Sequence, residues 1–255
     1  MKKRSLRAIF GGIAVAGLIA LSSAPVATAT SPVVAGGPAG SGPCAILARA
    51  AKAGATVDNL RAFGDCEIAR RMVTLATLSA KISGSKALTA SDASALSSEV
   101  ASTKSGLTGL KATIDAETDL TALKADVKQI ATNYRVYLLV APQVRLTIGA
   151  DTVQATKTVF DKVNSTLTAR IAAAKAAGKD TTTAQADLDA MNAAVSQALG
   201  LTSPLPAKLL PLTPAEYNGG TAGPVINSAR AALVQARGLL QSARKDAAAC
   251  RDALK

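Results

Sequence analysis

The chain has 255 residues, no histidine, three cysteines and 2% aromatic residues, and it carries 29 Lys and Arg against 17 Asp and Glu. Without histidine the usual general base and the commonest metal ligand are missing, and so few rings, none interleaved with a basic run, leave no stacking platform for nucleic acid. The composition points to a basic, non-enzymatic protein with no cofactor and no metal, whose partners are anionic surfaces.

In chain order, Lys2, Lys3, Arg4 and Arg7 form a basic start, AIFGGIAVAGLIAL an apolar run shorter than the ~20 residues of a spanning helix, and Ala27-Thr28-Ala29 a small-x-small cleavage signal. Residues 1–29 read as a secretory signal peptide, so the protein is expected outside the cell, released or held at its surface. Removing those four basic residues from 29 leaves 25 against 17 acids, a net charge of about +8. Residues 30–42 are rich in Gly, Pro and Ser and read as a flexible leader. Residues 43–255 then form a single helical domain.

An oxidising compartment allows at most one internal disulfide from three cysteines. Cys44 and Cys66 flank a short helical turn-back over 43–64 and are the expected pair, with Cys66 to Cys250 as the competitor. A loop of that length stabilises by about 3 kcal/mol in the chain-entropy model. Cys250 is then the free thiol, near the C-terminus and placed to link two chains.

From Asp65, read as an N-cap, Ile68, Met72, Leu75, Leu78 and Ile82 share one helical stripe that stops at Ser83-Gly84-Ser85. Thr89 followed by Asp92 resembles a capping box, opening a helix with Leu96, Val100, Leu107, Leu110 and Ile114. Another helix begins near Thr118 and Asp119. The apolar positions from Ile68 to Leu88 recur 32 residues later from Val100 to Leu120, a weak repeat of helical-hairpin type. Asp115, Glu117 and Asp119 cluster at the turn and read as helix-end acids rather than a calcium loop. Asp180 caps a later helix through Leu188, Met191, Val195 and Leu199. The four-proline segment within 201–220 is expected to be an irregular crossing loop. Pro224 opens the last helix, with Val225, Ala229, Leu233, Leu240 and Ala243 on one face.

The segment NYRVYLLVAPQVRLTIGAD, 133–151, is unlike the rest, crowding β-branched and aromatic residues around a proline. Leu120, Leu123, Val127, Ile130, Tyr134, Tyr137, Ala141, Val144 and Ile148 are spaced alternately by three and four, a heptad seam running through Pro142. The competing hairpin lacks a turn residue at Ala141-Pro142-Gln143. The expectation is one long proline-kinked helix from 118 to 177, on the order of 90 Å, in an all-α, elongated antiparallel helical bundle or coiled coil. Tyr134, Tyr137, Leu139, Pro142, Val144 and Ile148 are its candidate core and kink residues.

The stretches LRAFGDCEIARR (60–71), LTASDASAL (88–96), GLKATIDAETDLTALKADVKQIATNYRVYLLVAPQVRLTIGAD (109–151) and RIAAAKAAGKD (170–180) together resemble a family of uncharacterised exported helical proteins of actinobacteria and candidate-phylum bacteria. The resemblance covers most of the mature chain and implies a secreted, helix-rich protein; it brings no activity or site residues. Two functions stand open. One is a structural or interaction protein of the cell surface that associates with anionic envelope polymers, a lipid surface or itself. The other is a membrane-active bundle whose residues 134–148 leave the core as an apolar tongue.

Overall fold

The computed structural model describes residues 44–255, and these form an all-α helical bundle with no strand among them. The expected signal peptide and leader lie outside the described residues. In order, the helices are α1 (Ala45–Ala53), α2 (Val57–Gly84), α3 (Ala90–Ala116), α4 (Leu120–Thr132), a π-helical turn (Val136–Val140), α5 (Ala141–Ala155), α6 (Lys157–Ala176), α7 (Thr182–Thr202), the single-turn α8 (Leu205–Leu209) and α9 (Pro214–Asn218), and α10 (Ala222–Asp252).

Local chemistry sets several of these helix starts. The Thr89 hydroxyl accepts from the Asp92 N–H and the Asp119 carboxylate from the Ala122 N–H, so both helices start where their capping residues stand. Asp180 accepts from the Thr182 N–H at 2.9 Å at the head of α7. The expected N-cap at Asp65 is a correction: α2 begins eight positions earlier at Val57, capped by Thr56. Asp65 lies inside that helix and pairs with Lys111 of α3 at 2.6 Å; an acid inside a continuing apolar period does not stop it.

The buried side chains form two cores. Leu60, Ile68, Leu75, Leu78 and Ile82 of α2 meet Leu96, Val100, Leu107 and Ile114 of α3 and Leu123 and Ile130 of α4. Phe160, Leu167 and Ile171 of α6 meet Leu188 and Met191 of α7, Leu209 of α8 and Ile226, Leu233 and Leu240 of α10. Between them runs the segment 136–153. Val136, Val140, Ala141 and Val144 enter the first core, and Leu139, Leu146, Ala150 and Val153 enter the second. A helix buried on opposite faces needs apolar residues nearly all round, which accounts for its unusual composition.

Residues 120–176 follow one bent helical path of 57 residues, but the heptad seam is not continuous. The irregularity begins ahead of Pro142, at Arg135, whose φ of 43° is left-handed. A π turn follows and closes with the Ala141 N–H bonded to the Val136 carbonyl. The wide turn shifts the helical register, so that one run of apolar residues can serve both cores. Pro142 then occupies the first turn of α5, where a missing N–H is tolerated.

The segment 201–220, expected as an irregular loop, contains α8 and α9. Two of its four prolines fall in first turns, Pro206 in α8 and Pro214 in α9, while Pro204 stands just before α8 and Pro211 in the turn between the two helices. A capping box of Thr213 with Glu216 opens α9. The segment also clamps the bent path. Gln143 Nε2 donates to the carbonyls of Leu209 and Leu212, both at 2.9 Å. Asn218 Nδ2 donates to the Thr132 carbonyl at 2.9 Å, and Asn218 Oδ1 accepts from Arg135 Nε at 2.6 Å.

Candidate functional site

The residues singled out in 134–148 belong to packing. Leu139 and Val144 are fully buried and Pro142 is buried between the two cores; Ile148 is half-buried at the edge of the first core. Tyr134 packs against α3, so near Gly106 that a Cβ there would stand 2.5 Å from its ring. That burial raises the Tyr134 phenol above its ordinary range. The exposed member of the apolar run is Leu138, 47% accessible. No helix of the described residues is long and apolar enough to cross a membrane.

Cys44 and Cys66 form the disulfide, with Cα atoms 5.7 Å apart. It ties α1 to α2; no residue of Ala45–Ala53 is fully buried, and Ala51 packs partly buried against the first core. Cys250 is the free thiol, fully buried among residues of the second core. Burial, reinforced by Asp187, raises its thiol pKa. The link between two chains expected at Cys250 is therefore closed to the folded bundle, because the sulfur is not at the surface.

Beside the disulfide, α1 and α2, with Lys124 of α4, line an open cleft of about 650 Å³. Its floor is one face of α2, where Leu60, Phe63, Glu67, Arg70 and Arg71 follow at helical spacing. Ala45, Ala48 and Ala51 form the opposite wall, and Arg49, Lys52 and Lys124 stand at its exposed rim. Five cationic side chains thus face a single carboxylate.

That carboxylate is shared. Arg70 Nη2 donates to Glu67 Oε2 at 2.8 Å, and Arg71 Nη1 donates to the same oxygen and to the Glu67 backbone carbonyl. Both guanidiniums lie over the Tyr137 ring, 5.0 and 5.2 Å from its centroid, a contact that stabilises cations by about 0.5–2 kcal/mol. Arg71 is only 8% exposed. The Nε atoms of both arginines and the Tyr137 hydroxyl are buried without a hydrogen-bond partner. Sequence reasoning missed this site, although Glu67, Arg70 and Arg71 at i, i+3 and i+4 are its visible trace.

A second basic feature lies on α10. Arg230, Arg237, Arg244 and Arg251 recur every seventh residue and all four are exposed. Arg237 and Arg244 join Arg145 of α5 around a groove of about 400 Å³ floored by Ile148, Gly149, Val153 and Leu240. Among the described residues these three arginines have no ion-pair partner. The acids at the α3–α4 turn are helix-end groups: Glu117 accepts from the Thr118 and Asp119 N–H groups, and Asp115 pairs with Lys111. Among the described residues no group of three potential ligands gathers as a metal site.

Compared with family models, curated proteins and solved structures, the chain matches none.

Proposed function

We propose that this chain is an exported, non-enzymatic interaction protein of the cell envelope, a basic helical bundle that associates with anionic envelope components. The kinship with exported helical proteins read from residues 60–180 belongs to the same proposal. The observation that carries it is the arginine stripe of α10. Seven residues of helix rise about 10.5 Å and drift about 20°, so Arg230, Arg237, Arg244 and Arg251 make a slowly winding row of charges, of which Arg251 also pairs with Asp252. Arg145 broadens that row at its middle. Regularly spaced guanidiniums complement a polymer or surface bearing regularly spaced anionic oxygens.

The test is co-sedimentation of the full chain, disulfide intact, with purified cell-wall polymer and with anionic and neutral vesicles, across a salt series. Binding that falls with ionic strength and drops about tenfold or more in R237Q/R244Q, with vesicles left sealed, is the expected result. Dye leakage would replace the proposal with the membrane-active reading. Absence of binding to every anionic surface would end it.

A further inference from the structure

We infer that the cleft between α1, α2 and α4 is a binding site for an amphiphilic oxyanion: one carboxylate or phosphate head on a single apolar chain. This site is separate from the α10 stripe and does not depend on it.

Glu67 is the one carboxylate against Arg70 and Arg71, so the pair keeps an uncompensated positive charge where water is largely excluded. A buried charge without a counter-ion is unfavourable, and both Nε donors are unused. An oxyanion brought into the cleft supplies the missing counter-charge beside the Arg70 and Arg71 side chains that line it. Two guanidiniums held over Tyr137 and braced by Glu67 are oriented in advance, so little side-chain freedom remains to be lost on binding. Arg49, Lys52 and Lys124 at the mouth extend the attraction for an anion.

Shape and polarity select the rest of the ligand. The cleft volume falls in the range of small-molecule sites. Apart from its charged residues the lining is apolar, chiefly Ala45, Ala48, Ala51, Ala55, Leu60 and Phe63, a surface that suits methylene groups. A bare inorganic anion would leave that surface wet, and a highly charged polymer would meet apolar walls. A single chain with one anionic head satisfies both ends. Because Cys44–Cys66 ties α1 to α2 and α1 adds only partly buried contacts such as Ala51, the disulfide supports the alanine wall.

The test is calorimetric titration of the full chain, disulfide intact, below micelle-forming concentrations. Dodecanoate and dodecyl phosphate are the probes; dodecanol, dodecyltrimethylammonium, acetate and inorganic phosphate are the comparators. One saturable site is expected, with an oxyanion-headed chain binding at least about tenfold tighter than every comparator; which head is preferred identifies the source as a free acid or a phosphorylated lipid. R70Q is expected to weaken binding about tenfold or more. Should R70Q unfold, K52E/K124E at the exposed rim and A48W, which fills the cleft, decide instead; both are expected to lose binding with an unchanged melting curve. R237Q/R244Q is expected to bind as wild type. The inference is overturned if dodecanol binds equally well, if no probe saturates a site, or if only the α10 variant loses binding.

Discussion

Leu139 and Leu138 are neighbours in one short run, yet their fates in the fold are opposite, which makes them a matched pair for testing the role of 134–148. Leu139 is 0% exposed and Leu138 is 47% exposed. Truncating Leu139 to Ala removes buried methyl groups from the second core and leaves a cavity, a loss of about 2–5 kcal/mol. Against a total of about 5–15 kcal/mol this is a large fraction. A loss of about 3 kcal/mol corresponds to a melting temperature lower by roughly 6–12 °C for a chain of this size. The same truncation at Leu138 is expected to stay within about 0.5 kcal/mol. Urea denaturation followed by far-ultraviolet circular dichroism reads both, and L139A should lower the midpoint with little change in slope. Leu139→Arg adds an unpaired charge to the same position and is expected to abolish folding. A stable L139A, a folded L139R, or a larger loss at Leu138 would refute the assignment of this run to the core and return it to the surface as a tongue.

The double substitution C44S/C66S should lower stability by about 3 kcal/mol from the loop it opens, and limited proteolysis should then cut first within 45–56, since α1 has no buried residue to hold it. Gly106→Ala drives a methyl into the Tyr134 ring; a loss of about 1–3 kcal/mol is expected in thermal melts, and Y134A/G106A should recover part of what G106A loses if that collision is the cause. Asp151 is buried on α5, accepts from the Thr89 N–H at 3.0 Å and faces Asp92. Burial first, then repulsion from Asp92, raises its pKa above the ordinary carboxylate value, only partly offset by Thr89. The folded state therefore holds this proton more tightly than the unfolded chain. Its contribution is fully present below the unfolded pKa of about 3.9 and is lost as pH rises through the higher folded value. Asp151→Asn keeps an acceptor for Thr89 and removes the charge. It should flatten stability against pH just above about 4 and melt no lower than wild type at pH 7; an unchanged or steeper profile would contradict that assignment.

The two basic features separate in the same experiments. R237Q/R244Q alters exposed side chains of α10, where surface changes cost little, whereas Arg71 is buried against Glu67 and Tyr137. Loss of polymer binding with the cleft titration intact, and the converse for A48W, are expected if the stripe and the cleft are independent sites.

The amino-acid sequence by itself determined what is local. Apolar residues every three or four positions define helices and the side each one buries, as Leu75, Leu78 and Ile82 or Leu188 and Met191 do. Thr89 and Asp119 mark helix starts because a side-chain acceptor reaches an N–H three residues away. Spacing alone left Cys66 with two partners, and only the approach of Cys44 across the α1–α2 turn decided between them. The break at Arg135 was likewise not legible. The period ran on through Tyr134 and Tyr137, but Asn218, 83 residues further on, receives the Arg135 guanidinium, and two cores rather than one claimed alternate faces of the segment that follows. The cleft needed α1, α2 and α4 to converge, and no window of sequence contains all three. Periodicity records which residues prefer to leave water; which distant surfaces they meet depends on packing the whole chain at once.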